Sequence, residues 1–326
     1  MEIEEGGGPR AWGPSSIYRR VANEHVLKTP FLVWDPSYEI DLGPHVFITA
    51  KYRLTREHLL GNGTVEEVHF VAPTPARRED LLLAHTEEYL RKIDEDAFSA
   101  GERFLLEIPF TAEVRDAMTL ACGGTLLSCR LALEHGAAGH LGGGFHHAYA
   151  DHGEGFCLLN DGPVALLTLI EEGTIGRGAI VDLDVHHGNG TASILAGNES
   201  VFTFSMHQEN NYPAHKPRSD LDVGLDDGTS DEEYLSALET ALPTVLDDFA
   251  PDLVLYLAGA DPYLEDQLGG LALTTDGLRR RDRMVFAEVR RRGISIAVVL
   301  AGGYAIRLED TVSIHAATIE ELIAAS

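Results

Sequence analysis

The run AIVDLDVHHGNG, residues 179–190, places carboxylates and imidazoles inside an otherwise apolar stretch. Along an extended strand Asp182, Asp184 and His186 share one face, with about 6.6 Å per two-residue step. Carboxylates on a buried strand need a counter-charge, because an unpaired one there is costly. No Lys or Arg stands beside them in the sequence, so a divalent metal explains the pattern better than a salt-bridged strand end. With Asp261 arriving from another strand end, Asp184, His186 and Asp261 make a mixed N and O site with a fourth position open to water, the arrangement of catalytic zinc.

Two further clusters carry the remaining chemistry. GGGFHHA (142–148) is followed by GFC (155–157) and ND (160–161). The glycines permit a backbone closed to other residues and a close approach to substrate. Hydrolysis of an amide needs a general base for water and a proton for the leaving amine, which His146 and His147 can supply near a metal. AGGY (301–304) brings Tyr304 to a strand end, where its hydroxyl can donate to an oxyanion as it develops.

These residues need a scaffold, and the hydropathy pattern describes one. Apolar runs at 31–34, 68–71, 179–185, 201–205, 253–257 and 294–300 read as strands buried on both faces. Between them, helical periodicity covers 78–93, 113–135, 163–172, 231–249, 278–292 and 307–324. Ser230 and Glu233 form a capping box, and Pro243 should kink or interrupt its helix. The expectation is an α/β fold: a single doubly wound domain over residues 31–326, with a mainly parallel central sheet and helices on both faces. Residues 1–30 read as a flexible lead-in, being rich in Gly, Pro and Ser. In open α/β sheets ligands bind beyond the carboxyl ends of the strands. Asp182 and Asp184, Asp261, and Tyr304 therefore meet at one rim.

Composition removes several function classes. The 326 residues carry 25 Lys and Arg against 52 Asp and Glu, a formal net charge of -27, which disfavours a nucleic-acid binder. Apolar runs fall far short of the ~20 residues of a membrane span. Three cysteines, Cys122, Cys129 and Cys157, give neither a disulfide framework nor a zinc-ribbon spacing. With no secretory pattern at the start, a reducing cytoplasmic location is expected.

Taken together, GGGFHHA, GFCLLND, DLDVHHGNG, GADPYLEDQLGG and AGGY resemble the zinc-dependent histone deacetylase family with its arginase-like α/β fold. LLLAHTEEYLRKI (81–93) is similar to an early helix of that family, and the likeness runs from about residue 31 to the last. The GNG form, the GGGFHH form and the short chain look most like class IV and its bacterial relatives.

The resemblance implies zinc bound by Asp184, His186 and Asp261, with His146 held by Asp182 and His147 facing Asn189. Asn189 stands where many members have Asp, which should make His147 less basic. The resemblance further implies Tyr304 as oxyanion donor and a channel for an acyl-lysine stem walled by Gly155, Phe156, Tyr212 and Leu268. A potassium ion held by Asp182, Ser205, Met206 and the carbonyls of Asp184 and His186 is also implied. The expected activity is hydrolysis of N-ε-acyl-lysine, acetyl or longer fatty acyl, in peptides or proteins.

Three rivals are distinguishable. An arginase-type ureohydrolase needs carboxylates where Gly188 and Tyr263 stand. Acetylpolyamine amidohydrolases resemble this chain but carry Glu at the position of Leu268, so polyamines are the second substrate candidate. A binding protein without turnover has no need of Tyr304 and both His.

Other features are read as structural. His140, His152, His207 and His215 have no ligand spacing, and Cys157 has no evident base to activate it. The arginines at 279–283 and 290–292 read as a solvated or oligomer-facing helix surface. The acidic run 220–233 is a candidate attractor of cationic substrates near the channel mouth.

Overall fold

Strands that are apolar at consecutive positions can be satisfied only inside a sheet covered on both faces. The computed structural model describes residues 29–326, so the lead-in expected over 1–30 falls almost wholly outside the described residues. Among the described residues eight strands, β1 (Phe31–Val33), β2 (Phe70–Val71), β3 (Ala137–His140), β4 (Gly178–Asp182), β5 (Val201–Gln208), β6 (Leu221–Leu225), β7 (Leu253–Leu257) and β8 (Ser295–Val299), form one sheet. Their order is β2-β1-β3-β8-β7-β4-β5-β6, and every pairing is parallel.

Alternating side chains divide the core between the two faces. Val181, Tyr256 and Val298 pack on one side; Ile180, Leu255 and Val299 pack on the other. The first face is covered by helices α1 (Ala50–Gly61), α8 (Asp231–Pro243), α9 (Thr275–Arg291) and α10 (Leu308–Ala325). The second is covered by α6 (Asp161–Glu171) and the later turns of α5 (Ala112–His135). Truncating a fully buried strand residue such as Leu255 to Ala costs about 2–5 kcal/mol in lost contacts and cavity.

The doubly wound α/β expectation holds, and several boundaries move for identifiable reasons. The helix expected over 78–93 is two, α2 (Arg78–Leu81) and α3 (Glu87–Glu95), because Thr86 caps a new start by accepting from Tyr89 N at 3.2 Å. The helix expected over 231–249 keeps α geometry only to Pro243, which has no N–H to donate, and continues to Phe249 with wider π-helical turns. Its capping box of Ser230 and Glu233 is present.

Unexpected elements are α1, α4 (Ala100–Leu106), α7 (Asn189–Ile194), β3 and β6. In α1 the inward positions are Lys51, Tyr52, Thr55 and Leu59, a buried stripe whose polar members hide it from a hydropathy reading. β6 lies within the acidic run as an edge strand, with Asp222 and Gly224 its more exposed positions.

Candidate active site

Four adjacent strands, β3, β8, β7 and β4, end at the same rim, and the segment leaving each one carries part of the site. β3 leads to His146 and His147, β8 to Gly302 and Tyr304, β7 to Asp261, and β4 to Asp184 and His186. The strand expected to run to Val185 stops at Asp182. Beyond it, carboxylates replace ladder partners: Asp182 Oδ1 accepts from Asp184 N at 3.2 Å, and Asp184 Oδ1 from His186 N at 3.0 Å. Asp261 Oδ1 accepts from Val185 N at 2.9 Å. The shared face thus arises from a carboxylate-bonded bend, not from strand alternation.

Asp184, His186 and Asp261 converge, each with one ligand atom within 4.8 Å of the others, and all are buried. His186 Nδ1 lies 3.1 Å from Asp184 Oδ1 and 3.4 Å from Asp261 Oδ2. Asp261 Oδ2 is buried without a hydrogen-bond donor, and Asp184 Oδ2 accepts from Gly302 N at 2.7 Å. An orphaned carboxylate oxygen beside a second carboxylate and an imidazole is a donor set suited to a cation. Burial and the neighbouring Asp184 push Asp261 up to about 7. Burial also disfavours a charged His186, but the Asp184 and Asp261 carboxylates beside it outweigh that and hold the imidazole at about 10. A proton on His186 thus supplies positive charge that a metal would bring.

His146 and His147 are buried with their Nε2 atoms 3.1 Å apart. His146 Nδ1 lies 2.7 Å from Asp182 Oδ2, and His147 Nδ1 lies 2.6 Å from Asn189 Oδ1. Burial opposes charge on His146, yet Asp182 and Asp184 raise it to about 9. His147 is held well below the ordinary value, first by burial and then by His146 and His186. Its low basicity was expected from the Asn at 189, but burial is the main cause and the Asn189 hydrogen bond acts upward. Two adjacent imidazoles whose values are driven apart can divide the roles of charge carrier and neutral base.

Tyr304 has its backbone N–H on Asp266 Oδ2 at 2.7 Å and its ring edge-on to Phe156, with centroids 5.9 Å apart. Burial, then Asp184 and Asp261, push its phenol far up, so it remains a donor. A cleft lined by Gly155, Phe156, Tyr212, Leu268, Asn211 and Glu107 leads to His147, His186 and Tyr304. Phe156 holds a φ of +69°, in the left-handed region rarely entered by non-glycine residues. Asp182 and Ser205 are register partners on β4 and β5, with Met206 next along.

Lys51 escaped the sequence reading, and the ND pair gains a role that the sequence did not assign. Lys51, on α1, is fully buried, donates to Ala301 O at 2.8 Å and is lowered to about 8 by burial against the pull of Asp261 and Asp184. It lines an inner cavity with Phe47 and Tyr52. Asp161 accepts from Gly144 N and Phe145 N at 3.0 and 2.7 Å, and Asn160 Nδ2 donates to Ala148 O at 2.9 Å. The ND pair therefore anchors the backbone that carries both His.

Arg281 corrects the reading of the basic stretch as a solvated surface. It is fully buried, paired with Asp282, and donates to Gly259 O and Leu183 O at 2.7 and 3.3 Å, bracing the segments before both ligand carboxylates. Its neighbours Arg279 and Arg283 pair with Glu321, and Arg280 with Glu232. Much of the acidic run is likewise engaged within the chain: Asp220 by Thr203, Asp222 by His187, Asp227 by Gln208 and Asp231 by Thr274.

His140 and His207 are buried and His215 is exposed. His207 joins His187 and Asp222 in a second cluster of metal-capable groups, but Asp222 already contacts His187 Nε2 at 3.2 Å and Ser219 N at 3.0 Å. Cys157 is buried with its thiol raised well up by burial.

The model of the histone deacetylase domain matches residues 45–319. Histone deacetylase 2 of Arabidopsis thaliana is 32% identical over 304 residues, covering 89% of this chain and 78% of its own. A protein of Picosynechococcus sp. is 40% identical, covering 87% and 95%. The acetoin utilization protein AcuC of Bacillus subtilis is 27% identical, covering 85% and 76%. Among solved structures, the HDA15 HD domain superposes with a TM-score of 0.75 at 23% identity, covering 91% of this chain and 89% of that one, a likeness of fold.

Proposed function

The chain belongs to the histone deacetylase family of hydrolases acting on amide bonds, and from that premise we propose that it is a zinc-dependent lysine deacylase, hydrolysing the N-ε-amide of acetyl-lysine or longer acyl-lysines. One observation carries the reading. The Asp184, His186 and Asp261 donors, the His146 and His147 pair and Tyr304 meet at the inner end of a cleft walled by Phe156, Tyr212 and Leu268. Apolar and aromatic walls suit an aliphatic stem, while the polar groups wait at its end.

Asp184, His186 and Asp261 would hold the zinc, whose contribution when bound would be Lewis acidity toward the acyl carbonyl and water. The protein groups then have separate tasks. With Nδ1 engaged by Asn189, His147 accepts a proton from the attacking water through Nε2. Tyr304 donates its hydroxyl proton in a hydrogen bond to the oxyanion developing on the carbonyl. His147 passes its proton to the departing lysine nitrogen, while the charge on His146, sustained by Asp182, stabilises that step. A potassium ion would draw on Asp182, Ser205, Met206 and the carbonyls of Asp184 and His186, a reading supported by the register of Asp182 against Ser205. Leu268 puts no charge at its own position, but Glu107 lines the same cleft, so acetylpolyamines remain the second substrate candidate.

The deciding experiment presents one peptide bearing acetyl- through myristoyl-lysine to the zinc-loaded enzyme, beside acetylated polyamines and a chelated control. Chelator-sensitive release of the acyl group as its carboxylic acid, leaving a free ε-amine on the peptide, supports the reading. Turnover of acetylpolyamines alone would replace it with the polyamine reading, and binding without turnover would replace it with a regulatory one.

A further inference from the structure

An Asn beside a catalytic imidazole poses a problem of orientation, because its carbonyl and amino ends are nearly the same shape. Presenting the carbonyl fixes the proton on His147 Nδ1 and leaves Nε2 free to act as a base. Presenting the amino group favours the opposite tautomer, which cannot accept a proton where the reaction needs it.

On one side the charged His146, its Nε2 3.1 Å from His147 Nε2, favours the first arrangement; on the other, what holds the Asn189 amide in step with it lies one residue further out. Asn189 Nδ2 donates to Glu154 Oε1 at 2.7 Å and to Tyr149 OH at 3.2 Å. An ionised carboxylate is acceptor-only, so Glu154 can face only the amino end of Asn189. The same Oε1 accepts from Tyr212 OH at 3.0 Å, while Oε2 lies 3.5 Å from His152 Nε2. The Tyr212 ring stands edge-on to His147, with centroids 4.9 Å apart at 89°. Half-burial opposes ionisation of Glu154, but hydrogen bonds from His152, Asn189 and Tyr212 outweigh it and hold the carboxyl below its ordinary value.

We propose that Glu154 is a positioning residue: its carboxylate orients the Asn189 amide so that His147 keeps its proton on Nδ1, and it pins the Tyr212 wall beside that imidazole. The carboxylate that Asn189 lacks is supplied at second hand by Glu154, through Asn189. This role rests on the deacylase reading given above.

The test moves the charge back by one residue. Glu154→Gln can turn its own amino group toward Asn189 and release the constraint, so kcat falls roughly 10- to 100-fold while KM changes less. Asn189→Asp alone sets two carboxylates in contact, and kcat falls as well. The double variant Glu154→Gln, Asn189→Asp gives His147 a direct carboxylate partner, and kcat recovers to within about threefold of the parent, a non-additivity expected only of coupled groups. Nitrogen-15 NMR of the zinc-loaded protein reads the His147 tautomer without turnover: Nδ1–H in the parent and the double variant, mixed in Glu154→Gln. Retained kcat in Glu154→Gln, a double variant no better than that single one, or an unchanged tautomer overturns the proposal. A parent enzyme that hydrolyses no acyl-lysine overturns the function instead, and the tautomer measurement still decides the role of Glu154.

Discussion

Gly302 stands so close to Asp261 that a Cβ at Gly302 would lie 1.8 Å from Asp261 Oδ2 and 2.5 Å from Asp184 Oδ2. The glycine that ends the β8 segment is thus a wall of the proposed metal cradle. Gly302→Ala must displace one or both carboxylates. We expect a folded protein by circular dichroism with metal content well below one ion per chain and activity reduced at least 10²-fold, as for loss of a principal electrostatic group. Full metal content with normal activity would show that the carboxylates are not ligands in this arrangement.

In the proposed mechanism Tyr304 acts only as charge develops. Tyr304→Phe removes the hydroxyl and leaves the packing against Phe47 and Phe156. kcat should fall about 10²- to 10³-fold with metal content unchanged. A loss under about tenfold would remove Tyr304 from the oxyanion role.

Removing the metal should destabilise as well as inactivate, because two carboxylates then share a buried site with only the His186 proton between them. Asp261, raised to about 7 by burial and Asp184 in the metal-free site, binds a proton in competition with the metal. His186, held at about 10 in the metal-free site, must also give up its proton, so metal titrations across pH 8 to 5.5 should show affinity weakening throughout and more steeply below about 7, where the second proton competes. A slope that does not steepen below about 7 would exclude Asp261 as a ligand.

His85 links acid stability to the site. Its Nε2 accepts from Asn160 N at 3.0 Å and its Nδ1 lies 3.0 Å from Tyr149 O, a pattern only the neutral ring can satisfy. Burial lowers His85 from 6.5 to about 4. The unfolded chain therefore binds the proton first. The stabilisation is fully present above pH 6.5 and is lost as pH falls toward 4, amounting to about 3 kcal/mol for a shift of this size. Melting temperatures measured across that window should decline, and His85→Gln should flatten the decline while lowering the plateau.

Arg281 is expected to be a stability residue of the site's foundations. Arg281→Met leaves Asp282 buried without its cation, a loss of roughly 3–5 kcal/mol for a broken buried pair. Denaturant titration should show the shift, and replacing Asp282 as well should recover part of it. A change under about 1 kcal/mol would mean that water replaces the guanidinium.

The site chemistry was legible to the extent that it was local. Asp184, His186 and Asp261 stand out because carboxylates in or beside apolar strands demand an explanation, and the glycines before His146 and Tyr304 mark backbone that must bend. Lys51 and Arg281 were not legible. Each is surrounded in sequence by ordinary helix residues, and only folding turns it inward, where backbone carbonyls and carboxylates justify its burial. β3 was missed because its residues, Ala137–His140, are small and carry a histidine, although it leads to both imidazoles of the proposed site.

Residue types and their spacing determined the family, the alternation of strands and helices, and which side chains could bind metal or move protons, since those depend on short-range pattern. Tertiary structure decided what the pattern could not. It ended β4 at Asp182 and formed the ligand bend from carboxylate hydrogen bonds, because backbone N–H groups beyond the sheet edge need other acceptors. It also brought Glu154 to Asn189 across 35 positions, so that the orientation of one amide, and with it the basic nitrogen of His147, depends on a contact invisible along the chain.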